Sequence, residues 1–326
     1  MLCRAAESVF WMSRYVERAE NVARFIGVNL ELTLGERGGI DAQWNPLIFA
    51  SGDEAQFEED YDGPTRDNVL KFLLFDRNNP NSLISALAMA RENARVVRDT
   101  VSVSFWHKMN RLFIDVRDAA ASHEQVLRNP QGFLERTIES SQTLLGIEKS
   151  TMSHGEGWHF SRLGRLLERA DKTSRILDVK YFILLPKVDD VGRPLDVVQW
   201  SALLQSSSAL AMYRREHGRL KPANIVRFLV LDSAFPRSLM FCVSQALHSL
   251  QALAPDGSPE TQQQVVRALA SLVDTLESMS VESVIDEGLH EFIDRFQTRI
   301  AQLCDGISSS WFQRNDFVMA MQQQQQ

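Results

Sequence analysis

Two stretches of this chain repeat one another, and that repeat constrains the fold more than any single motif. Arg14-Tyr-Val-Glu17-Arg18-Ala19-Glu20-Asn-Val-Ala-Arg24 matches Arg165-Leu-Leu-Glu168-Arg169-Ala170-Asp171-Lys-Thr-Ser-Arg175, 151 positions later. A second pair lies 156 positions apart: Phe72-Leu-Leu-Phe-Asp76 with Pro80 and Ser82-Leu83, against Phe228-Leu-Val-Leu-Asp232 with Pro236 and Ser238-Leu239. The order is the same and the offsets differ by one small insertion. This predicts two copies of one unit, over residues 1–150 and 151–317, followed by a disordered Gln-rich tail at 318–326. No Pro/Gly/Ser-rich linker lies near residue 150, so the two units are expected to merge into one domain.

The unit itself reads as helical. Leu2, Ala5, Val9, Met12, Val16, Ala19, Ala23 and Ile26 recur at spacings of three and four, which is the apolar stripe of an amphipathic helix. The helix is expected from Leu2 to about Leu34, stopping at Gly35. Its counterpart is expected from Glu156 to Leu185, closed by Pro186. Residues 36–64 break the period and hold the acidic run Asp53 to Asp60. They read as a long connection with a short helix at Trp44 to Ala50. Further helices are expected over Asp67–Asp76, from Pro80 (capped by Asn79) to Ala121 as one helix or a pair, and over Pro130–Met152. Later ones are expected over Pro194–Tyr213, Ala223–Asp232, Pro236–Leu253, Pro259–Met279 and Ile285–Phe317. The fold class is therefore all-α: a helical bundle of two duplicated units, each opening on a long helix.

On the first helix Glu17, Glu20 and Arg24 stand at i, i+3 and i+7, so they share one stripe. Glu168, Asp171 and Arg175 repeat it. Arg14, Arg18, Arg165 and Arg169 lie beside them. Phe10, Trp11 and Phe25 fall off the main apolar stripe, so the first helix is covered on more than one side and the charges are partly buried. A structural ion network, a polar binding site and a catalytic site all fit these residues. Removing one partner of a buried pair strands the other, so the first reading predicts mutual burial. A metal site fits poorly: the interleaved arginines repel a cation, and Glu156-x-x-His159 is a single Glu-x-x-His where a di-metal bundle needs two.

His154-Gly-Glu156-Gly-Trp158-His159 reads first as a helix start, with Glu156 in the first turn and Trp158 in the core. Asp76 and Asp232 read as braces of the turn that each precedes. Cys242, inside an apolar run, reads as core. Arg214, Arg215, Arg219, Lys221 and Arg227 make a basic segment, read as a solvated loop or an anion contact. There is no phosphate loop, nucleophile elbow or zinc-protease motif. A net charge of −7 argues against a general nucleic-acid binder, and no apolar run approaches a membrane span. Cys3, Cys242 and Cys304 form no CxxC or disulfide framework, and no uninterrupted apolar signal core fits the N-terminus. The expected compartment is the cytoplasm. No cofactor is expected.

The sequence resembles the bacterial alpha-E domain family. The resemblance rests on Leu2-x-Arg4-x-Ala6-Glu7 with Phe10-Trp11-Met12-x-Arg14-Tyr15-Val16-Glu17-Arg18-Ala19-Glu20-Asn21, and on Arg91-Glu92-Asn93-Ala94-Arg95. It continues through Glu156-Gly157-Trp158-x-Phe160 to Glu168-Arg169-Ala170-Asp171, and through Asp232-x-x-Phe235-Pro236-Arg237-Ser238. It makes Glu92 a further candidate. The resemblance implies an all-helical protein associated with circularly permuted ATP-grasp and transglutaminase-like proteins. It carries over no catalytic residues. Two functions follow as expectations: a non-catalytic helical partner or scaffold of an ATP-grasp-type amide-bond-forming or peptide-modification system, or an enzyme or small-molecule or peptide binder using the paired Glu/Arg stripes as a polar site.

Overall fold

The computed structural model describes residues 1–33, 44–184 and 194–313. Among these residues there is no strand, so the all-α expectation holds. The elements are α1 (Cys3–Thr33), α2 (Asn45–Ser51), α3 (Glu54–Asp60), α4 (Arg66–Leu74), α5 (Leu83–Val96), α6 (Val103–Ala121), α7 (His123–Arg128) and α8 (Gln131–Thr151). They continue as α9 (Glu156–Leu184), α10 (Pro194–Ser206), α11 (Leu210–His217), α12 (Pro222–Val230), α13 (Leu239–Leu253), α14 (Glu260–Ser278), α15 (Val281–Glu287) and α16 (Leu289–Ile307). A π-helical turn, Ser308–Phe312, ends the described chain.

The two long helices sit at the centre. α1 packs along α9, and also against α5 and α8; α9 packs against α13 and α16. α6 covers α5 and α8, while α14 covers α13 and α16. The two halves thus bury their apolar faces in the same sequence of partners, and one continuous apolar core runs through both. α4 and α12 both start and end 156 positions apart, the offset of the second repeat.

Small residues bring the central pair together. Ser13 Oγ and Ser161 Oγ are 2.6 Å apart across the crossing. Gly164 faces the Phe10 carbonyl so closely that a Cβ there would collide with backbone. Only glycine allows that approach.

Several boundaries differ from expectation. α5 and α13 do not start at Pro80 and Pro236, and Asn79 is not a cap. The caps are Ser82 and Ser238, whose hydroxyls accept the N–H of Ser85 and Phe241. The prolines lie in the preceding turns. The acidic run is helical (α3), because Phe57 buries one side of it. The stretch expected as Pro194–Tyr213 breaks into α10 and α11 at Ser207–Ala209, where Ser208 takes a left-handed φ of 53°. The stretch expected as Ile285–Phe317 divides at Gly288, with φ of 103°, into α15 and α16. The expected stops at Gly35 and Pro186, and the Gln-rich tail, lie outside the described residues.

Candidate functional site

The repeated charges meet where α1 and α9 cross. Glu17 is 2% exposed and Glu168 is fully buried. Each carboxylate is held by an arginine fork from the opposite helix. Arg169 Nε and Nη2 donate to the two oxygens of Glu17 at 2.9 and 2.7 Å. Arg18 Nε and Nη2 donate to the two oxygens of Glu168 at 2.7 and 3.1 Å, and Arg14 Nε donates at 2.9 Å. These are reciprocal, forked pairs in which planar guanidinium matches planar carboxylate.

A second ring surrounds each pair. Beside Glu17, Arg237 from the turn before α13 donates to Glu17 at 3.0 Å, Asn21 at 3.0 Å and Glu20 at 2.8 Å. Arg24 closes on Glu20 at 2.7 Å and on the Ser208 hydroxyl at 2.7 Å. Beside Glu168, Arg175 pairs with Asp171 at 3.0 Å, and Arg18 Nη1 donates to Asn81 at 2.6 Å. Asn81 in turn donates to Asp53 at 2.6 Å. Arg165 turns aside to Glu148 at 2.9 Å. Arg14 Nη1 meets the Cys304 sulfur at 3.2 Å.

The charges hold one another in the ionised state. Burial alone would raise the Glu17 carboxyl, but Arg169 and Arg237 overcome it and hold it at about 2. Burial also opposes ionisation of Glu168, and Arg18 and Arg14 override it, so its pKa is lowered. Lys172 is different. It is buried, burial lowers its pKa against the pull of Asp171 and Glu168, and its one ion pair among the described residues is with Asp171 at 3.6 Å. It lines a cavity of about 10 Å³ with Arg18, Asn81 and Ser51. Beside Glu17, Glu20 and Arg165 lies another of about 20 Å³. Spaces of this size hold about one water each.

All ten stripe residues named from the sequence therefore come together, in two linked clusters on α1 and α9. The secondary candidates lie elsewhere. Glu92 is half-exposed, pairing with Arg91 and Arg95. Asp76 accepts the Asn78 N–H and the Tyr61 hydroxyl; Asp232 accepts the N–H groups of Ala234 and Phe235. Glu156 is exposed and meets the Met1 amino group. Trp158 is not core: it is half-buried, stacked on His154 at 4.1 Å and under Arg162 at 5.1 Å. His159 sits beside it, 6.5 Å from His248, and burial, with Arg162 nearby, lowers its pKa. Among the described residues no three His, Cys, Asp or Glu side chains converge as metal ligands.

Arg237, Asn21, Lys172, Asn81 and Glu148 were not among the candidate site residues, although Asn21 and Arg237 stand in the motifs of the family resemblance. For Arg237 a signal existed: it occupies the variable place in the repeated Pro-x-Ser-Leu, opposite Asn81.

A family model described as a predicted alpha-helical domain with a conserved ER motif matches residues 1–312. The Glu17-Arg18 and Glu168-Arg169 pairs are Glu-Arg dipeptides at the heart of the two clusters. An uncharacterized protein of Mycobacterium bovis is 23% identical over 344 residues, covering 98% of this chain and 37% of that protein. Two uncharacterized proteins of Mycobacterium tuberculosis strains CDC 1551 and H37Rv are 23% and 22% identical with the same coverage. The chain thus spans little more than a third of the length of these relatives. No solved structure matches.

Proposed function

The chain belongs to the Alpha-E family, and on that premise we propose that it is a non-catalytic helical partner of an ATP-grasp-type system that forms amide bonds or modifies peptides. One observation carries the reading. Glu17 and Glu168, the most chemically suggestive groups in the sequence, are spent on each other's helices, buried and doubly paired. Glu17 accepts four hydrogen bonds and Glu168 three, nearly all from arginine, and both carboxylates are buried. Cavities of about 10 and 20 Å³ admit no amino acid, which weighs against the stripes as a peptide site. The clusters act instead as a clamp that fixes α1 on α9.

The length of the relatives supports a partner role. There the matched region is a minority of a longer polypeptide, as expected of a module that works beside other domains. Family resemblance supplies the ATP-grasp and transglutaminase-like context. No described helix is long and apolar enough to cross a membrane.

The test is a reconstitution with an ATP-grasp protein encoded beside this chain. Stable co-purification, together with ligase turnover that rises when the chain is added, is the expected result. A ligase that neither binds the chain nor changes its turnover, tested with candidate amino acids and peptides, would sink the reading.

A further inference from the structure

Two short helices at equivalent places in the chain carry opposite charge. α3 and α11 each follow a turn of positive φ, at Gly52 (80°) and Ser208 (53°). Each anchors one buried ring, Phe57 or Tyr213, and these stand 156 positions apart. The two helices therefore turn the same positions outward. On α3 and just beyond it these are Glu58, Glu59, Asp60 and Asp62, all exposed. On α11 the positions matching Glu58 and Glu59 are Arg214 and Arg215. Arg219 and Lys221 follow, all four exposed, with Glu216 the single acid among them. Of these nine charges only Glu216 has an ion-pair partner among the described residues, the neighbouring His217. An exposed apolar side chain lies close in sequence to each group: Phe49 on α2, 43% exposed, and Met212 on α11, 48% exposed.

Each group of like charges repels itself and is relieved by a surface of opposite sign. α3 against α3, or α11 against α11, brings like charges together. α3 against α11 brings opposite charges onto ridges of the same spacing. We propose that the basic α11 face of one copy docks on the acidic α3 face of a second copy of this chain. The contact is heterologous. Each docked copy carries a second face of its own, so association continues from copy to copy unless the rotation between them closes the assembly. The charges are exposed, so the contact is weak and screened by salt.

Sedimentation velocity on the full chain tests this, at about 20 mM and about 500 mM salt, where the screening length falls from roughly 20 Å to below 5 Å. The expected result is an average mass that grows with concentration at low salt and stays monomeric at high salt. Arg214→Glu with Arg215→Glu gives two acidic faces; Glu58→Lys with Glu59→Lys gives two basic faces. Each double variant alone should stay monomeric at low salt. Mixing the two should restore the growth in mass, which also shows that both are folded. A wild-type chain that is monomeric at low salt, or a mixture that stays monomeric, overturns the proposal. So does a variant that self-associates like the wild type. An acidic peptide or nucleic acid that binds Arg214 and Arg215 while the chain remains monomeric assigns the basic face to another partner and overturns it equally.

Discussion

Around Glu17 the second cation is Arg237, whose fork reaches Glu17, Glu20 and Asn21 from the turn before α13. Around Glu168 the matching turn position is Asn81, and the extra cation is Lys172, at the α9 position that matches Asn21. The two residues have exchanged roles: cation on the turn and amide on the helix, or the reverse. A similar exchange occurs further along. Arg165 ends on Glu148, while Arg14 reaches Cys304, 156 positions after Glu148. Burial pushes the Cys304 thiol up despite Arg14, so it stays uncharged at neutral pH. The first cluster holds Arg24, Arg165, Arg169 and Arg237 against Glu17, Glu20 and Glu148. The second holds Arg14, Arg18, Lys172 and Arg175 against Asp53, Glu168 and Asp171. Both count four cations and three anions. The lesson is that the central Glu-Arg pairs are fixed by the cost of stranding a buried charge, while outer partners can move if the local charge is kept.

The largest effect tests that central claim. Glu17→Ala strands Arg169 and leaves Arg237 with Glu20 as its ion-pair partner; Glu168→Ala strands Arg14 and Arg18. Each should cost about 3–5 kcal/mol by chemical denaturation, the price of a buried charge losing its partner. Costs below about 1 kcal/mol would mean that the pairs behave as surface bridges.

Acid titration should separate the same two carboxylates from the rest. Glu17 ionises at about 2 in the fold against an ordinary 4.5. A depressed folded pKa stabilises above the unfolded value and loses that contribution as pH falls through the folded one. Stability should therefore drop between about pH 4.5 and 2. Glu17→Gln should lower stability at pH 7 yet flatten the fall in that window, read as the denaturation midpoint at each pH. An unchanged slope would place the acid sensitivity elsewhere.

Much of this cluster was legible beforehand, and the physical reason is periodicity. Residues at i, i+3 and i+7 share a helix face whatever surrounds it, so Glu17, Glu20 and Arg24 could be grouped from spacing, and the repeat attached Glu168, Asp171 and Arg175. What spacing cannot report is a partner distant in sequence. Arg237 is 220 residues from Glu17, and Glu148, on α8, reaches Arg165, on α9, because both helices pack against α1. Caps were misplaced for a related reason. Proline at the first turn is a general preference, but here Pro80 and Pro236 shape the turn, and the hydroxyls of Ser82 and Ser238 accept the free N–H groups. α3 carries a single buried ring, Phe57, and one anchor makes no period. The break in α10–α11 did leave a mark in Ser206-Ser207-Ser208, since clustered serines compete for backbone hydrogen bonds.

A swap sharpens the comparison. Asn81→Arg adds a fifth cation to the Glu168 cluster, into a space of about 10 Å³. Crowding and repulsion from Arg18 and Lys172 should cost about 1–3 kcal/mol. Lys172→Asn in the same chain converts the Glu168 cluster to the pattern around Glu17. The double variant should recover at least ~1 kcal/mol of that loss, a favourable coupling in a double-mutant cycle. Strict additivity would mean that the two positions do not exchange one role.

The smallest difference lies at the turns that cap the clusters. Gly52 and Ser208 both take left-handed φ, 80° and 53°. At Gly52 the space is filled: a Cβ would fall 2.5 Å from Nη1 of the Arg175 guanidinium, whose Nε donates to Asp171. Gly52→Ala therefore meets both the left-handed penalty, about 1–2 kcal/mol, and a displaced guanidinium. At Ser208 the penalty is already present, offset by the hydroxyl that accepts from Arg24 at 2.7 Å. Ser208→Gly removes the strain and the hydrogen bond together. An exposed charged bond is worth about 1 kcal/mol, close to the strain relieved, so the net change should stay within about 0.5 kcal/mol. Thermal midpoints decide it. A loss above ~1 kcal/mol at Ser208 would show that the Arg24 bond carries more than an exposed contact, and that the Glu17 cluster depends on its turn more than the Glu168 cluster does.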